Sequence, residues 1–187
     1  IWREHKYGRE DADKLLVETQ QSYFFESSYK QKPLIRFHYD QREDVFDAHS
    51  YQKGGSILHM LRMMLYDPRS QNPDLRFKEM MQDFCKTYEN RAASTEDFKA
   101  VVEKHMTSSM DIEGNHRMDW FFNEFVYGTE IPKYALVYSF DKTNAGVVLK
   151  IKVTQSGVAE SFSMPVPLYL ELADGRVTRL GLISMHG

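Results

Sequence analysis

Tyr51, Lys53 and the pair Gly54-Gly55 are the residues whose types and spacing could do chemistry in this 187-residue chain. A phenol held at a helix start, beside positions without side chains, can donate a hydrogen bond to an oxygen that becomes negative during a reaction. Glycine contributes by letting another element or a substrate approach the backbone closely. The same residues also describe a core tyrosine with glycines serving close helix packing, and on residue types alone both readings stand. Ile57, Leu58, Leu61, Met64 and Leu65 then recur with the 3.6-residue period and predict a helix directly after the glycines. A phosphate loop is excluded, because it needs a strand leading into G-x-x-x-x-G-K-[ST], whereas Lys53 precedes the glycines.

Tyr51-Gln52-Lys53-Gly54-Gly55, with Leu58 and Met60-Leu61-Arg62 after it, resembles the Y-x-K-G-[AG]-x-x-[LV]-x-M-[LI] signature of the aminopeptidase N family, the gluzincin zinc aminopeptidases. Upstream, Ile1 to Gly8 (IWREHKYG) and a helix ending in YFFES resemble the segment just after that family's third zinc ligand. Downstream, Asp119 to Pro132 (DWFFNEFVYGTEIP) resembles the segment closing its catalytic domain, with Phe125 where Trp is frequent and Glu130 where Gly is frequent. The resemblance implies a role for Tyr51: its hydroxyl points at the tetrahedral intermediate of peptide hydrolysis. It also implies zinc as the parent protein's cofactor, peptides as its substrates, and a cleft wall built from the loop between Tyr39 and Ser50.

The zinc motif of that family is a His-Glu-x-x-His helix, and it is absent. The seven histidines, His5, His38, His49, His59, His105, His116 and His186, include no pair four apart with a Glu after the first. Zinc catalysis needs three protein ligands and a water, and ligands on one helical face need i, i+4 spacing. The expectation is therefore a fragment that begins after the third zinc ligand, stops inside the next domain, binds no metal of its own and is catalytically silent alone. His49 and His59, ten apart, do not share a helical face. His49 is expected either to tune Tyr51 or, more simply, to cap the turn or face solvent. The acids Asp40, Glu43, Asp44 and Asp47 lack calcium-loop spacing and read as a solvated loop.

The elements that must position Tyr51 can be read from periodicity. A helix broken near Gly8 is expected over 2–30, with Ala12, Leu15, Leu16, Thr19 and Tyr23 on one stripe. Phe77, Met80, Met81, Phe84, Cys85 and Tyr88 mark a second packing helix, with Cys85 as a small hydrophobe. Ser94 to Asp97 offers a capping box, and His105 ends that helix facing its negative pole. Met118, Phe121, Phe122, Phe125 and Val126 form another apolar face. After Lys133 the period becomes 2: Val147, Leu149, Ile151 and Val153 on one stretch, then Phe162, Met164, Val166, Leu168, Leu170 and Leu172, with Asp174-Gly175 as a hairpin turn. The expected class is α+β: 1–132 as the helical C-terminal part of a thermolysin-like gluzincin catalytic domain, and 133–187 as the start of an antiparallel β-sandwich. Pro165 and Pro167 remove donors from one edge of their strand, and an incomplete sandwich leaves edges through which the chain can pair with a copy of itself.

Composition narrows the classes. Twenty-four Lys plus Arg against 27 Asp plus Glu, net charge -3, provides no basic footprint for nucleic acid. No apolar run is long enough for a transmembrane helix. One cysteine excludes an internal disulfide and leaves cytoplasmic, periplasmic and secreted locations equally open. Two function classes remain: part of an active zinc aminopeptidase, or a metal-free aminopeptidase-like scaffold that binds peptide or protein.

Overall fold

The computed structural model describes residues 1–144 and 146–186, with the backbone alone at His186. It resolves into two compact units, Ile1–Thr129 and Glu130–Gly187. The class is α+β, helical in the first unit and antiparallel β in the second.

In the first unit α1 (Trp2–Tyr7) and α2 (Arg9–Ser27) are separated at Gly8, whose φ of 91° is open to glycine and costly for other residues. The break falls where the sequence places it. The expected stripe on α2 is only half realised: Tyr23 and Ser27 are buried, Ala12, Leu16 and Thr19 half-buried, and Leu15 exposed. Residues 34–39 form no strand. Instead the Leu34 and Ile35 amides donate to the Val126 carbonyl at 3.0 and 3.3 Å.

A π-helical turn, His49–Lys53, runs without interruption into α3 (Gly54–Leu65). Next come α4 (Leu75–Thr87), α5 (Thr95–His105) and a single α turn, α6 (Asp119–Phe121), which widens into a second π turn over Phe122–Tyr127. Leu61, Leu65, Met80, Val102, Met110, Met118, Phe121 and Phe122 make the core, each at most 1% exposed. They come from α3 and the chain beyond it, and the nonpolar area they withdraw from water is the main force assembling the unit.

The capping box at α5 is present. Ser94 Oγ accepts from the Asp97 amide at 3.1 Å, and the Asp97 carboxylate accepts from the Ser94 amide at 2.8 Å. Ser94→Ala is expected to cost about 1 kcal/mol of stability by urea denaturation, the usual loss for such a cap; an unchanged midpoint would show that the Asp97 side suffices. His105 lies in the last turn of α5 as expected, and its Nε2 also meets Asp83 Oδ2 on α4 at 2.8 Å, beside Lys104 at 2.7 Å. Those two partners hold the Asp83 carboxyl down at about 2. Cys85, expected as a small hydrophobe on the packing face, is instead exposed, because the α4 face that packs inward centres on Met80.

In the second unit β1 (Lys133–Thr143) pairs with β2 (Gly146–Ser156), and β3 (Ser163–Glu171) pairs with β4 (Val177–His186), as two separate two-stranded antiparallel sheets. Leu149, Ile151 and Val153 on β2, and Met164, Val166, Leu168 and Leu170 on β3, are half-buried on alternate positions as the period of 2 requires, whereas Val147 at the start of β2 is 65% exposed. The Asp174-Gly175 turn lies between β3 and β4, with Gly175 at φ 80°.

Candidate functional site

Tyr51 sits in the middle of the first π turn with 60% of its surface exposed, and its ring lies 6.1 Å from that of Phe46. Its hydroxyl makes no hydrogen bond among the described residues, so the phenol is free to donate outward. A π turn carries one residue more per turn than an α-helix and frequently marks a functional position. The turn is closed by the Lys53 amide donating to the Ala48 carbonyl at 2.9 Å, and the Tyr51 amide donates to the Asp47 carbonyl at 3.1 Å.

Side chains from distant parts of the chain fix both ends of this turn. At its start, Glu26 of α2 accepts from the Ala48 amide at 2.8 Å, while Asp47 Oδ1 accepts from the Ser50 amide at 3.0 Å and from Arg36 Nη2 at 2.7 Å. Burial alone would raise the Asp47 pKa; the Arg36 guanidinium and the Ser50 amide outweigh it and hold the carboxyl well below the usual range. Asp47 therefore belongs to a buried ionic cluster and not to the solvated loop expected from its neighbours. His49 is likewise fully buried, 5.4 Å edge-on from the Tyr23 ring, and neither caps in solvent nor touches the Tyr51 phenol.

At the far end, the Lys53 ammonium donates to the Gly128 carbonyl at 2.8 Å and lies 5.9 Å from the Tyr23 ring. Gly128 has no room for a side chain: an added Cβ would stand 2.4 Å from the Glu124 carbonyl oxygen and 2.8 Å from that of Asn123. The glycine at the end of the second π turn is what brings a carbonyl to Lys53. Burial, then the nearby Arg36 charge, lowers the Lys53 pKa to about 8. Because the folded chain holds this proton less tightly than the unfolded chain, stability contributed here rises with pH between about 8 and the ordinary lysine value of 10.5. Comparing wild type with Lys53→Met should show the wild type gaining stability across that window. A difference independent of pH would mean that Lys53 titrates normally.

Of the two glycines after Lys53, Gly54 faces Leu34, whose Cδ1 would lie 3.4 Å from an added Cβ, whereas Gly55 has open space beside it. Gly54 thus serves ordinary packing and Gly55 leaves room on the surface. Two surface hollows, one among α1, α2 and α3 and one around Pro33 to His38 with Tyr127, are not lined by Tyr51.

The structure brings Glu26, Asp47 and His49 together, a grouping that no spacing in the sequence signals. Among the described residues these three form the one cluster of metal-ligating type, and they do not reproduce a His-Glu-x-x-His helix. The chain's residues therefore do not fit the zinc ligand set that the resemblance implies.

The family model described as the Peptidase family M1 domain matches residues 4–138, well over half of the chain, including both π turns and the start of β1. No curated protein matches it significantly. No helix among the described residues is long and apolar enough to cross a membrane.

Proposed function

Since this chain belongs to peptidase family M1, we propose that it is a segment of the catalytic domain of a zinc aminopeptidase, in which it supplies Tyr51 and part of the cleft wall. The observation that carries this reading is the exposed phenol of Tyr51, within the matched region, on a π turn anchored from Glu26 at one end and Gly128 at the other.

A fixed, outward-pointing phenol suits oxyanion stabilisation. When water adds to a scissile carbonyl, the oxygen gains charge, and a donor already in place strengthens its hydrogen bond without reorganising. Lys53 does not take that role, because its side chain is buried and its ammonium is turned to the Gly128 carbonyl. Phe46, 60% exposed beside Tyr51, offers an apolar wall against which a substrate side chain can lie. The family's metal ligands are not in this chain, so its own contribution is hydrogen bonding and shape. In this reading residues 133–187 belong to an adjoining β domain.

Substrate class is tested in a longer protein that joins this segment to the His-Glu-x-x-His motif. Aminoacyl-arylamides and peptides with free N-termini should be hydrolysed, and the same peptides N-acetylated should not. Equal cleavage of blocked and free peptides would replace the aminopeptidase reading with an endopeptidase one.

A further inference from the structure

His49 Nδ1, Glu26 Oε1 and Asp47 Oδ2 lie within 4.8 Å of one another, Nδ1 being 3.6 Å from Glu26 and 3.8 Å from Asp47. The His49 side chain is 1% exposed and neither ring nitrogen has a hydrogen-bond partner; Asp47 Oδ2, in a side chain 8% exposed, has none either. Buried polar atoms left this way are costly and uncommon in a folded chain.

We propose that Glu26, Asp47 and His49 form a binding site for a divalent transition-metal ion of the zinc class, held against competition from the Lys30 ammonium. One imidazole nitrogen and two carboxylate oxygens are the donors such an ion prefers, and a shift of a few tenths of an ångström brings all three to the usual distances of about 2.0–2.2 Å. The fourth position is left to water.

The supporting shell is already built. The other oxygen of Glu26 is fixed by the Ala48 amide, and the other oxygen of Asp47 by Arg36 and the Ser50 amide, which leaves Glu26 Oε1 and Asp47 Oδ2 for an ion. The competitor is Lys30, whose Nζ stands 3.4 Å from Asp47 Oδ2 and 3.7 Å from Glu26 Oε1. Its side chain is 35% exposed and can withdraw into water when an ion enters, exchanging one positive charge for two. The proposal stands on this geometry alone and does not depend on the function proposed for Tyr51.

Titration calorimetry of the 187-residue chain with Zn²⁺, paired with Co²⁺ absorption, tests it. The expected result is one ion per chain and a Co²⁺ spectrum carrying nitrogen and oxygen ligands. His49→Gln should weaken binding by more than the roughly 100-fold that loss of an outer partner costs. Lys30→Met, which removes the competing charge, should tighten it. No binding to the folded wild type, equal affinity in a folded His49→Gln, or weaker binding in Lys30→Met would each overturn the proposal. If His49→Gln does not fold, the Co²⁺ spectrum and the sign of the Lys30→Met change decide.

Discussion

Tyr51→Phe is expected to lower turnover about a hundredfold to a thousandfold, with little change in substrate binding, in a protein that joins this segment to the family's metal motif. That is the usual cost of removing one oxyanion donor, because the hydrogen bond matters when the oxygen is charged and contributes little while it is a neutral carbonyl. Phe keeps the ring against Phe46 and leaves the π turn intact, since the turn's hydrogen bonds use the backbone of Tyr51 and not its hydroxyl. Stability should therefore be unchanged, which separates a lost donor from a damaged fold. A rise in KM at constant kcat would instead make Tyr51 a substrate-binding residue.

Arg62→Met should produce the largest loss of stability. The Arg62 side chain is 11% exposed and grips both oxygens of Asp74 at 2.7 and 2.8 Å, with Glu4 of α1 at 2.7 Å on the same guanidinium. Removing it strands two acids, Asp74 with its side chain only 15% exposed and Glu4 at 30%. Breaking such a pair costs about 3–5 kcal/mol, toward the lower end here because Glu4 is 30% exposed and recovers water. Arg62→Lys should recover little, since an ammonium cannot reproduce the two-pronged contact to Asp74. Urea denaturation of both variants checks this; a loss below about 1 kcal/mol would class the cluster with ordinary surface ion pairs.

Periodicity alone reveals much of this fold. The break at Gly8, the cap at Ser94, the helix after Gly54 and the alternation on β2 and β3 depend on local spacing, which a sequence displays directly. Tyr51 is singled out by a local motif that resembles the family's, and the family match covers its surroundings. The ionic cluster behind it is not. Glu26 and Ala48 are 22 positions apart, and Lys53 and Gly128 are 75 apart, so nothing in the spacing couples them. Asp47 looks solvated because its neighbours Asp40, Glu43 and Asp44 are acidic, yet Arg36 folds back onto it. The expectation that this chain binds no metal rests on helical spacing of histidines, and a cluster assembled from the end of α2, a loop and the first π turn escapes that test. Both π turns are hidden as well, since an extra residue per turn leaves a short apolar pattern nearly unchanged.

The most direct measurement is hydrolysis of an aminoacyl-arylamide, with Zn²⁺ present, by the 187-residue chain and by a longer protein carrying it together with the His-Glu-x-x-His motif. Turnover by the longer protein and none by the chain alone is the expected result, with any ion at Glu26, Asp47 and His49 leaving the chain inert. Turnover by the chain alone would contradict the assignment of Tyr51 to a site completed elsewhere. Silence in both, with the longer protein folded and zinc-loaded, would replace the aminopeptidase with a scaffold that keeps the fold.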